Sequence, residues 1–430
     1  GTPGTYQMAL MKLAQVGCGG MGLRHIYGLI ELKDSGFDSF DLTALCDLNQ
    51  SSAEHVADVA KAGLGIRPHI HTNFQEMIDS EHDLDAVNIV TDTRSHQPFA
   101  LKSFEAGLHV AVEKPMALTI RACHTMITAA KDAGRVLSVS ENYRRDPMNR
   151  LGKAILEAGV IGDLRININV MTLGGTDVRQ ASAWRHLKNR GGMILDYGVH
   201  TSDLTLYLMG NVERVYAETH LWQNSRTIGD PPEDLRHFYR HRVREKIEDS
   251  VAIEATSEDT GMAVLRFTSG AMGQTTFSDA APGKPLKTNV IYGSEGSLML
   301  PESRSGRPVL VTLSGGKDPI DHADLITEIP NFHLDHATSR IFGFKDKVYR
   351  YDLPFDQADR KLIAIELQDF SDAITHGTEP EVAGAVGLDA VALLYSILES
   401  GYLAQPVLFN DVRNDKINGY QQRIDETAGF

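Results

Sequence analysis

Cysteine is nearly absent from this chain, with Cys18, Cys46 and Cys123 the only three among 430 residues. An odd number without C-x-x-C or mixed Cys/His spacing excludes a disulfide framework and a structural zinc, and implies reduced thiols. No metal is expected. Long apolar runs are also missing: none approaches the roughly 18 to 20 residues a membrane span needs. The N-terminus lacks the charged-then-apolar order of a secretory signal, so the expected location is the cytoplasm, without a membrane partner. Positive charge is in deficit, 42 Lys and Arg against 57 Asp and Glu, for a formal net charge of -15. Such a field repels nucleic acid and anionic membranes, which excludes both as general partners. Aromatics are sparse at 7%, while 42% apolar and 23% charged residues describe an ordinary globular protein. The length allows two or three domains with substantial cores. The opening GTPGTYQ has no periodicity and is left out of the fold reading.

From residue 11 to about 140, short β-rich runs alternate with amphipathic segments. The runs are KLAQV, DLTALC, LDAVNIV, LHVAVE and RVLSVS; between them lie LRHIYGLIELK, SSAEHVADVAKAG, QPFALKSFEAG and TIRACHTMITAAKDAG. That alternation predicts an α/β domain with a parallel sheet covered on both faces, over residues 8–145. After Pro147 the pattern changes. A helix, NRLGKAILEAG, leads into the alternating DLRININVMTL, and VAIEATS, GMAVLRFTS, AMGQTTFS, TNVIYGS and GSLML follow without helical crossovers. A second α/β domain over 146–430 is expected, with a large, mostly antiparallel open sheet. Polar stretches near 222–248 and 301–350 read as insertions.

VGCGGMGLRHI carries the G-x-G-x-x-G spacing at Gly17, Gly19 and Gly22. The spacing alone is weak, but a strand precedes it and a helix follows, which is the context of a dinucleotide-binding (Rossmann) turn. Gly17 allows the tight turn, Gly19 lets a diphosphate reach the backbone, and Gly22 lets helix and sheet pack closely. The free N–H groups of the helix start, from Gly20 and Met21 onward, are anion donors. Asp47 ends the next strand, 25 residues beyond Gly22. Its carboxylate suits the adenosine ribose hydroxyls of NAD and repels the extra phosphate of NADP.

Ligands of an open parallel sheet bind beyond the carboxyl ends of its strands. Those ends carry Thr91-Asp92-Thr93 with His96, then Glu113-Lys114-Pro115, then Glu141-Asn142-Tyr143-Arg144-Arg145. Lys114 follows an apolar strand, so its amine can reach a semi-buried cleft, where desolvation makes a lysine a competent proton exchanger. A surface lysine has the same local sequence. In GGMILDYGVHTSDLTLYLMG, Asp196 and His200 stand four apart and share a helix face. A carboxylate beside an imidazole orients it and raises its basicity, as a general base needs. A polar helix edge with a satisfied histidine is the plain alternative.

Taken together, the strand-borne glycine motif, Glu113-Lys114-Pro115, and Gly191-Gly192 leading to Asp196-Tyr197-Gly198-Val199-His200 resemble the Gfo/Idh/MocA oxidoreductases. The likeness spans nearly the whole chain, including the closing ELQDFSDAITHGTEPEV and the helix after it. The resemblance implies a Rossmann domain and a second α/β domain, with nicotinamide-dependent oxidation or reduction of a sugar, polyol, inositol or glycoside hydroxyl. It implies Lys114, Asp196 and His200 as the catalytic group. Gly17, Gly19, Gly20, Met21, Gly22, Asp47, Thr91, Thr93, His96, Glu113 and Lys114 are its cofactor-side expectation. Asn142, Tyr143, Arg144, Trp184, Arg185 and His200 are expected toward the substrate. NAD is expected ahead of NADP, the partner is a small carbohydrate-like molecule, and a homo-oligomer covers the open sheet. Two relatives' activities compete: glycoside cleavage through transient oxidation without net redox change, and nucleotide sensing without catalysis. The joint presence of Lys114, Asp196 and His200 argues against the latter.

Overall fold

The computed structural model describes residues 10–345, 347 and 350–430. Outside them lie the opening GTPGTYQ, residues 8 and 9 of the expected first domain, and 346, 348 and 349 of the second insertion. The chain begins with alternating strands and helices: β1 (Met11–Val16), α1 (Gly20–Asp34), β2 (Phe40–Cys46), α2 (Gln50–Leu64), β3 (His69–His71), α3 (Phe74–Ser80), β4 (Ala86–Ile89), α4 (Thr93–Glu105), β5 (His109–Glu113), α5 (Ile120–Ala133) and β6 (Leu137–Ser140). The strands form one parallel sheet in the order β3-β2-β1-β4-β5-β6, reversing direction of growth between β1 and β4. Every residue of β4 and β6 is buried, as expected of strands covered on both faces. α2 and α5 end on left-handed Gly65 and Gly134, which carry no Cβ penalty there. Among these elements, β3 and α3 escaped the sequence reading. β3 is a three-residue edge strand of sequence HIH, too short and too polar to show alternation.

The second domain opens with α6 (Pro147–Glu157) and β7 (Leu164–Thr172), then α7 (Met193–Met209), β8 (Val212–His220), β9 (Ser225–Thr227) and the short α8 (Arg236–Tyr239). Next come β10 (Ala252–Glu254), β11 (Thr260–Phe267), β12 (Met272–Ser278), β13 (Leu286–Gly293), β14 (Gly296–Leu300) and β15 (Leu310–Leu313). After α9 (His322–Glu328) and α10 (His336–Phe342), two long helices follow, α11 (Phe355–His376) and α12 (Gly384–Leu403), then β16 (Val407–Leu408). Eight strands form the large sheet, ordered β15-β14-β13-β7-β12-β11-β8-β16. Each neighbouring pair is antiparallel except β7 and β12. The expectation for VAIEATS needs correction: β10 leaves the large sheet and pairs with β9 in a two-stranded ribbon. Ile253 there buries against Val178 and Ala183 in a small separate core, so its alternation belongs to that ribbon.

Both α7 and α12 pack on one face of the large sheet. The other face exposes Ile166, Tyr216, Met262, Val264, Met272 and Tyr292. Cross-strand register places Ile166 opposite both Met272 and Tyr292, and Val264 opposite Tyr216, which gives two apolar groups on that face. Among the described residues, α12 is the one helix long and apolar enough to cross a membrane. Its composition follows from burial on several sides, against α5, α7 and β8.

The late helix α11 returns to the first domain and lies along α1. A Cβ on Gly28 would stand 2.4 Å from Ile363 Cγ2, so glycine is what lets the helices approach. Arg24 reaches across with Nε 2.8 Å and Nη2 2.5 Å from the two oxygens of Asp359, a buried bidentate pair.

Candidate active site

The glycine turn sits between β1 and α1. Gly17 adopts φ +102°, and a Cβ there would fall 2.0 Å from the Val90 carbonyl oxygen. A Cβ on Gly22 would meet Gly17 O at 2.2 Å, which fixes the close helix-strand packing. Gly19 differs: a Cβ on it would meet nothing nearer than Arg242 Cδ at 4.0 Å, because it borders a cavity of about 860 Å³. α1 has no side-chain cap and no acid in its first turn, so its N–H groups and dipole are left for an anion. At the cavity's other side, Asp47 accepts 2.8 Å hydrogen bonds from Cys18 N and Asn49 N, one on each carboxylate oxygen. This open cradle, bare helix terminus and fixed carboxylate fit a dinucleotide. Gly17, Gly19, Gly20, Met21, Asp47 and Thr91 all border the cavity, as do Trp184 and Arg185 from the second domain.

Other residues expected near the cofactor stand behind this wall. His96 is buried, with Nδ1 2.8 Å from Pro115 O and Nε2 3.2 Å from Thr91 O, so it braces two strand-end loops. Burial holds its imidazole below its ordinary pKa despite those carbonyls. Thr93 is buried at the start of α4. Asn88 Nδ2 donates to His25 Nδ1 at 2.9 Å, which leaves His25 Nε2–H to donate to Glu113 at 2.7 Å. His25, Glu113 and Glu366 bring ligand-type atoms within 4.8 Å of one another, but both nitrogens of His25 are already engaged. Glu113 also accepts from the Lys114 amide at 3.1 Å, so it sets the backbone from which Lys114 projects.

The chemistry-bearing groups meet where β5 and β6 end against α7. Lys114 Nζ donates to the Asp196 carbonyl at 2.9 Å and to its carboxylate at 3.3 Å. Arg185 Nη1 grips the other carboxylate oxygen of Asp196, while its guanidinium stacks 4.6 Å from the Trp184 ring centroid. Burial opposes ionisation of Asp196, but Arg185 and then Lys114 outweigh it and hold the acid below its usual range. A Cβ on Gly191 would lie 2.7 Å from the Trp184 ring, so the glycine pair ahead of α7 makes room for that indole.

His200 is oriented differently from the sequence expectation. Asp196 is committed to Lys114 and Arg185, and the His200 Nδ1 partner is Glu141 Oε2, at 2.8 Å. Tyr143 stacks on the imidazole, centroids 4.1 Å apart and planes within 5°. Behind it, Arg304 donates to the Tyr143 hydroxyl at 3.2 Å and pairs with Asp359 at 3.1 Å. Burial, then the charges of Lys114, Arg304 and Arg24, pushes His200 well below its ordinary pKa. Burial and Asp203 push Glu141 well above the usual carboxylate range. Arg144 turns away, forming a buried bidentate pair with Asp203 at 2.8 and 2.5 Å. Asn142, two residues before it, is buried as well.

Sequence reasoning gave no role to Glu141 or Arg304. Glu141 opens the strand-end run yet is 59 residues from His200, and Arg304 lies in the second insertion, 161 residues from Tyr143. No local pattern links such pairs.

A nucleotide cradle joined through Arg185 and Asp196 to Lys114, with His200 held by Glu141 one turn further along α7, fits an NAD-binding oxidoreductase. Residues 11–141 match the oxidoreductase family, NAD-binding Rossmann fold, and residues 150–299 match the GFO/IDH/MocA C-terminal domain. The chain belongs to the GFO/IDH/MocA oxidoreductase family. It is 30% identical over 238 residues to a levoglucosan dehydrogenase of Pseudarthrobacter phenanthrenivorans, covering 53% of this chain and 58% of that one. With a myo-inositol 2-dehydrogenase of Thermotoga maritima the identity is 24% over 391 residues, covering 91% and 96%. Among solved structures, levoglucosan dehydrogenase in complex with NADH and L-sorbose matches with a TM-score of 0.70 at 22% identity, covering 93% of this chain and 98% of the other.

Proposed function

We propose that this protein is a dehydrogenase using NAD, ahead of NADP, to oxidise or reduce a secondary alcohol of a sugar, polyol, inositol or glycoside. The observation that carries the reading is the meeting of Lys114 and Asp196, with His200 one turn further along α7, beside the glycine cradle. Bound in that cradle, NAD supplies the hydride acceptor. Lys114, which donates to Asp196, acts in this reading as the electrophile that steadies charge on the reacting oxygen. His200 takes the hydroxyl proton at Nε2, since its Nδ1 faces Glu141. Asp196 and Arg185 position Lys114, and Tyr143 fixes the plane of the imidazole. Sugar and inositol dehydrogenases among the relatives support the substrate class.

The enzyme works in the cytoplasm, a reading supported by three buried unpaired thiols. It assembles as a homo-oligomer through the exposed apolar face of the large sheet, where a patch of this kind marks an interface. Sedimentation should give a mass above one 47.3 kDa chain. A panel of sugars, inositols, uronates and anhydrosugars, followed at the NADH absorbance with NAD and NADP in parallel, tests the activity. Stoichiometric NADH with at least one substrate class is expected; tight NAD binding with no turnover anywhere overturns the reading.

A further inference from the structure

The first insertion does not trail into solvent but folds over the glycine turn of the other domain. On the bank formed by the turn and α2, His241 Nε2 donates to the Cys18 carbonyl at 2.7 Å, and its ring stacks on His55 with centroids 4.5 Å apart. Val243 N donates to the Ser52 hydroxyl at 3.4 Å. Tyr239 closes directly on Gly20, where a Cβ would lie 2.2 Å from its ring. On the opposite bank, Arg190 holds Asp92, at the start of α4, with Nη2 2.8 Å away, and holds Glu245 at 3.1 Å. Glu248 accepts from the Ala183 amide at 3.0 Å. The segment therefore crosses the mouth of the cavity and is fastened on both sides.

Its charge is matched to what the cavity takes. In a chain of net charge -15, the cavity wall carries seven lysines and arginines against three acids. Arg242 is the wall residue nearest to where a Cβ of Gly19 would stand, and Gly19 is the position at which a diphosphate approaches the backbone. Glu248 grips its guanidinium at 2.9 and 3.2 Å, which fixes the side chain in the wall.

Resting on the reading of this cleft as the NAD site, we propose that residues 235–248 complete that site from the second domain. Arg242 is a diphosphate-binding residue, and the segment around His241 must lift for the cofactor to exchange. Dinucleotide release is then limited by the segment's contacts as well as by those of the glycine turn. The enzyme would keep its cofactor over many substrate encounters.

Stopped-flow release of bound NADH, chased with excess NAD from the full chain, tests the retention. His241→Ala and Arg242→Ala should each release NADH at least tenfold faster. Titration with ADP and with adenosine tests the charge contact: Arg242→Ala should raise the ADP Kd about tenfold and leave adenosine within twofold. Should His241→Ala not fold, His241→Phe removes the same hydrogen bond while keeping a ring against His55. Release rates within twofold of the parent in every folded variant overturn the retention. An unchanged ratio of ADP to adenosine affinity in Arg242→Ala overturns the diphosphate contact. Failure of the parent protein to bind NADH or ADP at all instead overturns the cleft assignment, and the segment's role with it.

Discussion

His200 Nδ1 faces Glu141 Oε2 at 2.8 Å, while Asp196, four residues away on the same helix, is taken by Lys114 and Arg185. One carboxylate, Asp196, thus serves two cations, and the other, Glu141, orients the imidazole proposed as the base. When Glu141 is ionised, it accepts from Nδ1–H and leaves Nε2 with a free lone pair. Glu141→Gln should lower kcat by about 10² to 10³, within the usual range for general-base catalysis, with KM for NAD nearly unchanged. Steady-state kinetics at saturating NAD checks this.

The pH dependence follows from the same pair. Burial first, and Asp203 second, raise the pKa of Glu141, so it is protonated at pH values where an ordinary carboxylate is ionised. Protonated Glu141 donates to Nδ1, which forces the ring hydrogen onto Nε2 and removes the base. The oxidation rate should therefore fall as pH drops through the elevated Glu141 value, and the acidic limb should vanish or move in Glu141→Gln. A kcat/KM profile that falls only in the ordinary carboxylate range would contradict this.

Lys114→Ala should cost about 10² to 10³ in kcat by removing the proposed donor to the reacting oxygen, with NAD affinity within a few fold. Isothermal titration with NAD separates the two effects.

Asp196→Asn leaves Arg185 and Lys114 without their buried anion. Removing one partner of a buried pair costs about 3 to 5 kcal/mol, so a lower denaturant midpoint should accompany the loss of activity. Urea unfolding followed by circular dichroism reads it.

Asp47→Ala should weaken NAD more than NADP, because the carboxylate fixed by Cys18 N and Asn49 N is the group we propose for the ribose hydroxyls. Equal losses for both cofactors would move that contact elsewhere.

The parallel sheet was legible because its strands are buried on both faces and its helices are amphipathic, signals that survive in one dimension. β3 was not, since a three-residue polar edge strand exists only through its pairing with β2. Lys114, Asp196 and His200 stood out through motif order. Glu141 as the His200 partner and Arg304 behind Tyr143 did not, since they meet through folding across elements and spacing along the chain carries no trace of it; Arg185 was expected toward the substrate, and it pairs with Asp196. Arg144 looked like a ligand residue beside Tyr143, yet its fork is consumed by Asp203.

Arg24 and Asp359 are 335 residues apart, and α11 supplies cover for α1. During synthesis the first domain emerges with that face bare until nearly the whole chain has been made, a long-range closure of the kind that slows folding and invites association. Cutting the chain after residue 145 would leave the nucleotide domain without that lining. The boundary between the domains is a division of labour in the folded enzyme, and not a seam along which the polypeptide can be divided.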